Sequence, residues 1–279
     1  MSRTTPAAVS APSPMGTHPA RAPRCGLRPS AAAWARLALV LGAVVLLEVV
    51  CRAGLVGRTS LVPPSEAAAR LWALLRSGEA GTAAAATLGH AGLALLLALG
   101  VGLPAGVALH ALPRLRRALD PFLAGYYAVP FFAFYPVLVA VLGMNALPIV
   151  AVGFLFAVLA VVLNTLNGLD RIPPVLLKVA RVNRMGRLST ALRVQLPAAV
   201  PHLITGLKLA VAYALIGVIA SEFLLSDRGL GHEIAFAYNG FDTPRMYALM
   251  ALLVVSVTAI NLALHAWERR ILARRGARP

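Results

Sequence analysis

The chain has 279 residues, of which 59% are hydrophobic and only 13% are charged. A soluble domain is about half apolar and roughly a quarter charged, so a water-soluble fold of this size would lack the polar residues to cover its surface. This composition argues against a soluble enzyme. Lysine and arginine number 26 against 10 aspartate and glutamate residues. This basic excess could reflect either a surface that binds nucleic acid or the topology of a membrane protein. The positions of the basic residues distinguish the two explanations.

Six apolar segments approach or exceed the roughly 20 residues that a helix needs to cross a bilayer. The predicted spans are 37–56, 91–112, 122–142, 146–166, 203–225 and 247–267. The hydrocarbon core contains no water, so each segment must satisfy its own backbone hydrogen bonds, which an apolar run of this length does as a helix. The sequence therefore predicts an all-α integral membrane protein with six transmembrane helices.

Positive charge is concentrated on one side of this arrangement. The two terminal segments and the second–third and fourth–fifth connections hold 19 of the 26 basic residues, and the opposite connections hold six, mixed with acids. The positive-inside rule then predicts that both termini are cytoplasmic. The basic excess is explained by topology, so we expect contact with membrane lipids and none with nucleic acid. Lys208, inside the fifth span, is expected to extend to the lipid headgroups.

The flanking segments differ in composition from the spans. Residues 1–33 are rich in proline, alanine, serine and arginine and contain no acid, which predicts a disordered basic cytoplasmic tail, with a transit peptide as the alternative. Residues 34–270 form the predicted six-span domain, and 271–279 form a second basic cytoplasmic tail. Residues 60–80, between the first two spans, predict an amphipathic surface helix capped by Ser65 and anchored by Trp72.

The connection between the fourth and fifth spans, 167–202, is long for a helical membrane protein and predicts two short helices. Pro173 and Pro174 suit the start of the first helix. A break near Met185 and Gly186 precedes a second helix, 187–195, which the Leu196-Pro197 pair is expected to end. Long connections with their own structure usually serve a function such as binding a partner. A solvated basic loop is the alternative.

This connection resembles the cytoplasmic signature of permease subunits of binding-protein-dependent ABC importers, E-A-A-x3-G-x9-I-x-L-P. Here the signature reads Lys178-Val179-Ala180, then Arg184 at the glycine position, then Val194 and Leu196-Pro197. Lys178 and Arg184 replace the acid and the glycine, and the nearest glycine, Gly186, comes two positions late.

Further matches follow in order along the chain and are similar to the branch that includes nitrate, sulfonate and taurine permeases. They comprise Gly102, Pro104 and Gly106 in the second span, 119–121, 128–130 and Pro136 around the third, and Ser221-Glu222 with 229–231 at the end of the fifth. His90 stands where that branch often has arginine.

The resemblance implies a type I ABC importer permease fold and a permease subunit that forms the pathway for a small anionic solute of the sulfonate or nitrate type. Two such subunits, identical or different, would form the pathway in the bacterial inner membrane. Cytoplasmic ABC ATPase subunits would hydrolyse ATP, and a periplasmic or lipid-anchored substrate-binding protein would deliver the solute. ATP would be used by the partner, so no cofactor is expected on this chain.

The resemblance also assigns a coupling helix that contacts the ATPase. The candidate coupling residues are Lys178, Val179, Ala180, Arg181, Arg184, Gly186, Leu196 and Pro197. Lys178 near a helix start is expected to be mildly unfavourable. Since arginine reaches positive φ only with strain, we expect the turn after this helix to move from Arg184 to Gly186.

The third span carries a cluster of six aromatic residues between Tyr126 and Tyr135, with Pro130 inside the cluster and Pro136 directly after it. These prolines free backbone carbonyls that must face protein or a water-lined cavity, which favours this span as the pathway wall, with plain helix packing as the alternative. The candidate pathway residues are Tyr127, Pro130, Phe131, Tyr135, Asn164 and Glu222. Glu222 either takes part in transport, caps a neighbouring loop or pairs with Arg228.

No enzyme motif is present in the sequence: GxSxG, HExxH, the P-loop and paired His/Cys ligands are all missing, so we expect neither catalytic residues nor a metal site. The alternative class is a secondary transporter or channel that is not coupled to an ATPase. Such carriers more often show inverted repeats with acids at mid-membrane, and mid-span acids are missing here.

Overall fold

The computed structural model describes residues 31–54, 57 and 61–274, and all regular structure in these ranges is helical. The all-α prediction is therefore confirmed. Most of the two predicted tails, 1–33 and 271–279, lies outside the described residues. The α-helices, in chain order, are α1 Ala31–Arg52, α2 Pro64–Ser77, α3 Glu79–Ala111, α4 Pro113–Gly125, α5 Tyr135–Leu142, α6 Ala146–Asp170, α7 Pro174–Val182, α8 Arg187–Thr190, α9 Leu196–Leu225, α10 Leu230–Asn239 and α11 Thr243–Arg274.

The chain divides into two compact units after Val45. Of the first unit, the structure describes residues 31–45, which are the first part of α1. The second unit begins at Leu46 and contains the helix bundle. Every contact discussed below lies within this second unit.

Four of the described helices are long and apolar enough to cross a membrane, namely α3, α6, α9 and α11. They contain the predicted second, fourth, fifth and sixth spans. Helix α1 covers the first predicted span from residue 37 to Arg52, and residues 55 and 56 of that span lie outside the described part of the chain. We call the end of the bundle that carries α7 the loop end, and the end that carries α10 the α10 end.

The third predicted span, 122–142, falls on two helical pieces separated by a break. Two short 3₁₀ turns, Tyr126–Ala128 and Phe131–Phe134, separate α4 from α5, and the two halves meet at 82°. The break falls at Val129 and Pro130. Proline has no N–H to donate and forces the preceding residue into extended backbone, and Val129 is extended with ψ at 121°.

Helix α6 lies between α3 and α9 and packs closely on both. On the α3 side this approach depends on Gly102 and Gly106, because an added Cβ would lie 2.8 Å from Val161 Cβ and 2.6 Å from Thr165 Cβ respectively. In lipid there is no hydrophobic driving force between helices, so small residues that let backbones approach are what holds them together. These two glycines are among the positions that carry the family resemblance.

Charged pairs link the helices at the loop end. Lys208 Nζ lies 2.7 Å from Glu268 Oε2 on α11, a partner that the sequence analysis did not predict. The Asp170 carboxylate, at the end of α6, binds Arg116 Nη1 at 2.8 Å and His110 Nδ1 at 3.0 Å. This second cluster joins α3, α4 and α6 directly before the α7 connection.

The predicted surface helix is present as α2, but its cap differs from the expectation. Ser65 lies inside the first turn, and its backbone N–H donates to Glu48 Oε2 over 3.1 Å. Glu48 also binds Arg52 Nε at 2.6 Å. A carboxylate from α1 thus occupies the N-terminus of α2, where the helix dipole favours negative charge.

The α3–α6 contact can be tested with a pair of glycine variants. We expect Gly106→Val to destabilise the full-length chain by about 1–3 kcal/mol, because the added carbons overlap Thr165 and the Val162 carbonyl. The measurement is the thermal unfolding midpoint in detergent. Gly100→Val, on the same helix but facing open space, is the control. Equal midpoints for the two variants would contradict the packing account.

Candidate functional site

Helix α7 presents a row of apolar side chains that nothing in the described part of the chain covers. Val175, Leu176, Val179 and Val182 are 63%, 38%, 51% and 82% exposed. Lys178 and Arg181 are exposed beside them. Ala180, by contrast, is 1% exposed on the side where α7 packs against the π-helical segment Ala191–Gln195. Helix α7 is thus fixed on one face and free to bind a partner on the other.

The turn after α7 is made by Arg184, so the expectation that it moves to Gly186 is wrong. Arg184 adopts a φ of +50°, and Gly186 is not among the positive-φ glycines. The Met185 N–H donates to the Ala180 carbonyl and the Arg184 N–H to the Arg181 carbonyl, both at 3.0 Å. These two bonds form a Schellman cap, which places its left-handed residue where Arg184 stands.

The Schellman cap shows why the resemblance has glycine at this position. A residue with a side chain is strained by roughly 1 kcal/mol in the left-handed region, whereas glycine is not. Arg184 therefore stands in a conformation that glycine adopts without strain.

Two further expectations about this connection need correction. Lys178 is the fifth residue of α7, beyond the first turn where the helix dipole would disfavour its charge. Leu196 and Pro197 do not end the second helix. Helix α8 continues through the π-helical segment into α9 with no residue between them, and Pro197 is the second residue of α9.

At the α10 end, Glu222 is buried in a cluster that joins three helices. Its side chain is 1% exposed. Glu222 Oε2 accepts hydrogen bonds from Thr87 Oγ1 at 2.7 Å and from the Gly231 N–H at 3.2 Å, and His90 Nδ1 lies 3.0 Å from Oε1. Thr87 Oγ1 in turn accepts from the Leu230 N–H at 2.8 Å. The carboxylate therefore ties α9 to α3 and to the first turn of α10.

Close approach of the loop to this carboxylate requires glycine. Gly229 has a φ of +104°, and an added Cβ there would overlap the Glu222 carboxyl group. At Gly231 an added Cβ would lie 2.6 Å from the Ile219 carbonyl. The Ser221-Glu222 and Gly229–Gly231 elements that the sequence analysis noted separately are thus two sides of one contact.

Glu222 does not pair with Arg228, which was one of the alternatives. The Arg228 guanidinium donates to Asp227 at 3.1 Å, and this hydrogen bond holds the pKa of the Asp227 carboxyl below its usual range. Both side chains are more than half exposed, so their pair adds little to stability. The loop-capping alternative for Glu222 agrees with its bond to Gly231.

The remaining candidate pathway residues fall into two groups. Tyr127 and Phe131 flank the break of the third span on either side of Pro130, with Tyr127 43% exposed and Phe131 9% exposed. Tyr135 is buried and lines a recess at the α10 end with Asn145 and Asp227. Asn164 lies apart from them in α6, where its Nδ2 donates to the Ala160 carbonyl at 2.8 Å.

Two residues of these sites were not singled out by the sequence. Thr87 carries the central hydroxyl of the Glu222 cluster, and Tyr213 of α9 stacks on Tyr127 with ring centroids 5.1 Å apart. Both lie on long apolar helices where hydropathy gives no special signal. Among the described residues, no group of three His, Cys, Asp or Glu side chains could hold a metal ion.

The comparisons with known proteins agree with this architecture. Residues 98–276 match the family described as binding-protein-dependent transport system inner membrane component. The nitrate import permease protein NrtB of Synechococcus elongatus is 30% identical over 189 residues, 67% of this chain and 68% of the relative. The taurine transport system permease protein TauC of Escherichia coli is 28% identical over 187 residues, 67% of this chain and 68% of the relative.

A solved structure shares the fold. It is an inward-facing conformation of the MetNI methionine ABC transporter, which aligns with a TM-score of 0.59 at 22% identity and covers 72% of this chain and 96% of that one. The family match and the membrane-length helices together define a multi-pass permease subunit. This chain belongs to the binding-protein-dependent transport system inner membrane component family. It is an ABC importer permease, and the ATP hydrolysis of such importers lies in a partner subunit.

The Glu222 cluster can be tested at Thr87. We expect Thr87→Val to destabilise the full-length chain by about 1–3 kcal/mol, because the Leu230 N–H and Glu222 each lose a partner inside the protein. Thr82→Val on the same helix is the matched control, since that exposed hydroxyl bonds only the Glu79 carbonyl one turn back. The free energy of unfolding of both variants is measured in detergent. A Thr87→Val variant as stable as Thr82→Val would refute the structural role of the Glu222 cluster.

The turn after α7 can be tested at Arg184. Arg184→Gly should keep the Schellman cap and stabilise the connection by about 1 kcal/mol, because the left-handed strain is removed. Hydrogen exchange of the Met185 amide should slow correspondingly. Gly186→Ala, whose added Cβ meets open space, should leave that exchange unchanged. Faster exchange in Arg184→Gly would mean that the arginine side chain holds the turn.

Proposed function

We propose that this chain lines the pathway of an importer that carries a small anionic solute across the bacterial cytoplasmic membrane. The permease class follows from the family, and the solute, the membrane and the assembly are our proposal. Two relatives are named for nitrate and taurine. Nitrate is an oxyanion and taurine carries a sulfonate group, which supports a compact anionic group on the solute.

The loop end is the cytoplasmic end in this proposal, and both termini lie on that side. The distribution of 19 of 26 basic residues supports this orientation. The α10 end then faces the periplasm, where a periplasmic or lipid-anchored binding protein would dock. A second permease subunit, identical or different, would complete the pathway.

The observation that carries the proposal is the exposed apolar row of α7. Four apolar side chains on a short helix outside the membrane-spanning segments need a partner to cover them, and an ATPase subunit is the partner that the family implies. Helix α8, the π-helical segment and α9 are continuous, so a displacement of the connection reaches the core of the bundle. The bundle is expected to alternate between inward-open and outward-open states. ATP binding can shift the equilibrium between these states only by favouring one of them.

The departures from the signature change the charge expected of the ATPase surface that binds α7. Lys178 and Arg181 are exposed beside the apolar row, and the acid of the signature is missing. We propose that the groove of the ATPase that receives α7 is correspondingly acidic. The candidate coupling residues Arg184, Gly186, Leu196 and Pro197 would position α7 rather than contact the groove.

Purification from the native host tests the proposal directly. The tagged chain, extracted in mild detergent, should retain an ATPase that contains a P-loop in stoichiometric amount, identified by mass spectrometry. Its absence in several detergents would remove the coupling role of α7 and favour a carrier or channel that works without ATP.

A charge reversal on α7 tests the acidic groove. We expect Lys178→Glu to lower the retained ATPase about fivefold, because one favourable charge contact is replaced by a repulsive one, worth about 1 kcal/mol in total. Raising the salt concentration should narrow the difference. Arg114→Glu, an exposed site on α4, controls for net charge. Unchanged retention in Lys178→Glu would exclude the acidic groove.

A further inference from the structure

The break in the third span is bridged to α9 by a stacked pair of tyrosines. Tyr127 precedes the break and Tyr213 lies in the middle of α9, with ring centroids 5.1 Å apart and planes at 27°. On its other side Tyr127 meets Tyr126 edge-on at 6.2 Å. Tyr126 contacts Phe131 at 4.6 Å, beyond the break. Tyr213, Tyr127, Tyr126 and Phe131 thus form a row of aromatic rings, and Tyr127 and Tyr213 are the pair at the α9 end of it.

The hydroxyl groups of these tyrosines differ in what they bind. Tyr126 donates to the Leu155 carbonyl at 2.8 Å, so its hydroxyl serves the packing of α6. Among the residues that the structure describes, the Tyr127 and Tyr213 hydroxyls have no hydrogen-bond partner. Tyrosine hydroxyls that lie in an apolar region usually find one. Two donors are thus available on one side of the bundle.

The surroundings of the pair favour contact with protein or water over contact with lipid. Irregular backbone at membrane depth is tolerated only where it is buried in protein or lines a water-filled cavity, and Val129 and Pro130 are both exposed on this chain. Leu209 and Ile216, one turn to either side of Tyr213, are also exposed. This stripe of α9 and the break are thus both exposed, and the Tyr127–Tyr213 stack joins them.

The charges on α9 lie well away from the pair. Lys208 is held by Glu268 toward the loop end, and Glu222 is buried in its cluster toward the α10 end. An anion at the level of Tyr213 would meet neutral donors and no fixed positive charge from α9. Neutral donors hold an anion weakly enough to release it, as transport requires.

We propose that Tyr127 and Tyr213 contact the solute at mid-membrane, each hydroxyl donating a hydrogen bond to its anionic group. This inference rests on the proposed function and names a selectivity element within it. The rings stack on each other along one wall of the pathway, so a displacement of α9 would separate them. Because α9 is continuous with the α8 segment, displacement of the coupling connection supplies that movement.

Uptake measurements test the hydroxyl groups. The full chain with its ATPase and binding protein is reconstituted in liposomes, and uptake of nitrate and of taurine is measured beside ATP hydrolysis. Tyr127→Phe and Tyr213→Phe keep the rings and should each lower uptake of the transported anion about fivefold, the factor for one neutral hydrogen bond. ATP hydrolysis should persist. Tyr238→Phe, an exposed hydroxyl on α10, is the matched control, and uptake equal to that control in both variants overturns the proposal.

A labelling experiment separates this inference from the solute class. In a background with Cys25 and Cys51 changed to serine, Tyr127→Cys and Tyr213→Cys should react with a negatively charged, membrane-impermeant methanethiosulfonate, at rates that change when ATP is added. Leu262→Cys, exposed on α11, is the lipid-facing control and should not react. If the wild-type protein takes up neither nitrate nor taurine, the proposed solute class is refuted. The labelling rates still show whether positions 127 and 213 lie in the pathway. Two unreactive cysteines would show that the tyrosines lie outside the pathway.

Discussion

The close approach of α3, α6 and α9 is the contact on which the rest of the molecule depends. Gly153 of α6 and Gly217 of α9 face each other so closely that an added Cβ on Gly217 would lie 3.0 Å from the Gly153 Cα. Gly206 makes the same kind of contact with Asn164. A helix bundle in lipid gains little from apolar burial between its helices, so backbone proximity and the dispersion contacts that it permits provide much of the attraction.

This packing also creates the polar site at the α10 end. With α3 and α9 both held against α6, the side chains of Thr87 and His90 come within hydrogen-bond distance of Glu222. A buried acid in a membrane helix is costly unless its oxygens are satisfied, and here helix α10 contributes the backbone N–H of Gly231 as well. The contacts make Glu222 a junction between helices. It was a pathway candidate because it is an acid within a predicted span.

The sequence predicted those features that depend on average composition along a helix. Long apolar runs located α3, α6, α9 and α11 because bilayer thickness sets their length, and the spacing of the signature located the α7 connection. Features that depend on a single residue's surroundings were missed. Arginine's preference for negative φ argued against a turn at Arg184, yet the two Schellman hydrogen bonds and the packing of Ala180 outweigh roughly 1 kcal/mol of strain. Tyr213 could not be recognised because its partner, Tyr127, lies 86 positions earlier in the chain. Mean hydropathy over a span also does not reveal the break that positions Tyr127.

The ion pair between Lys208 and Glu268 has a consequence for the lipids around the protein. The pair is partly buried, with the Lys208 and Glu268 side chains 31% and 15% exposed, so separating it costs more than separating an exposed surface pair. A displacement of α9 at the loop end would therefore tend to carry α11 with it. Helix α11 carries several exposed apolar side chains, among them Val254, Val255 and Leu262. A moving element that includes such a helix must rearrange the acyl chains in contact with it at each cycle. The rate of transport would then depend in part on the viscosity of the surrounding bilayer.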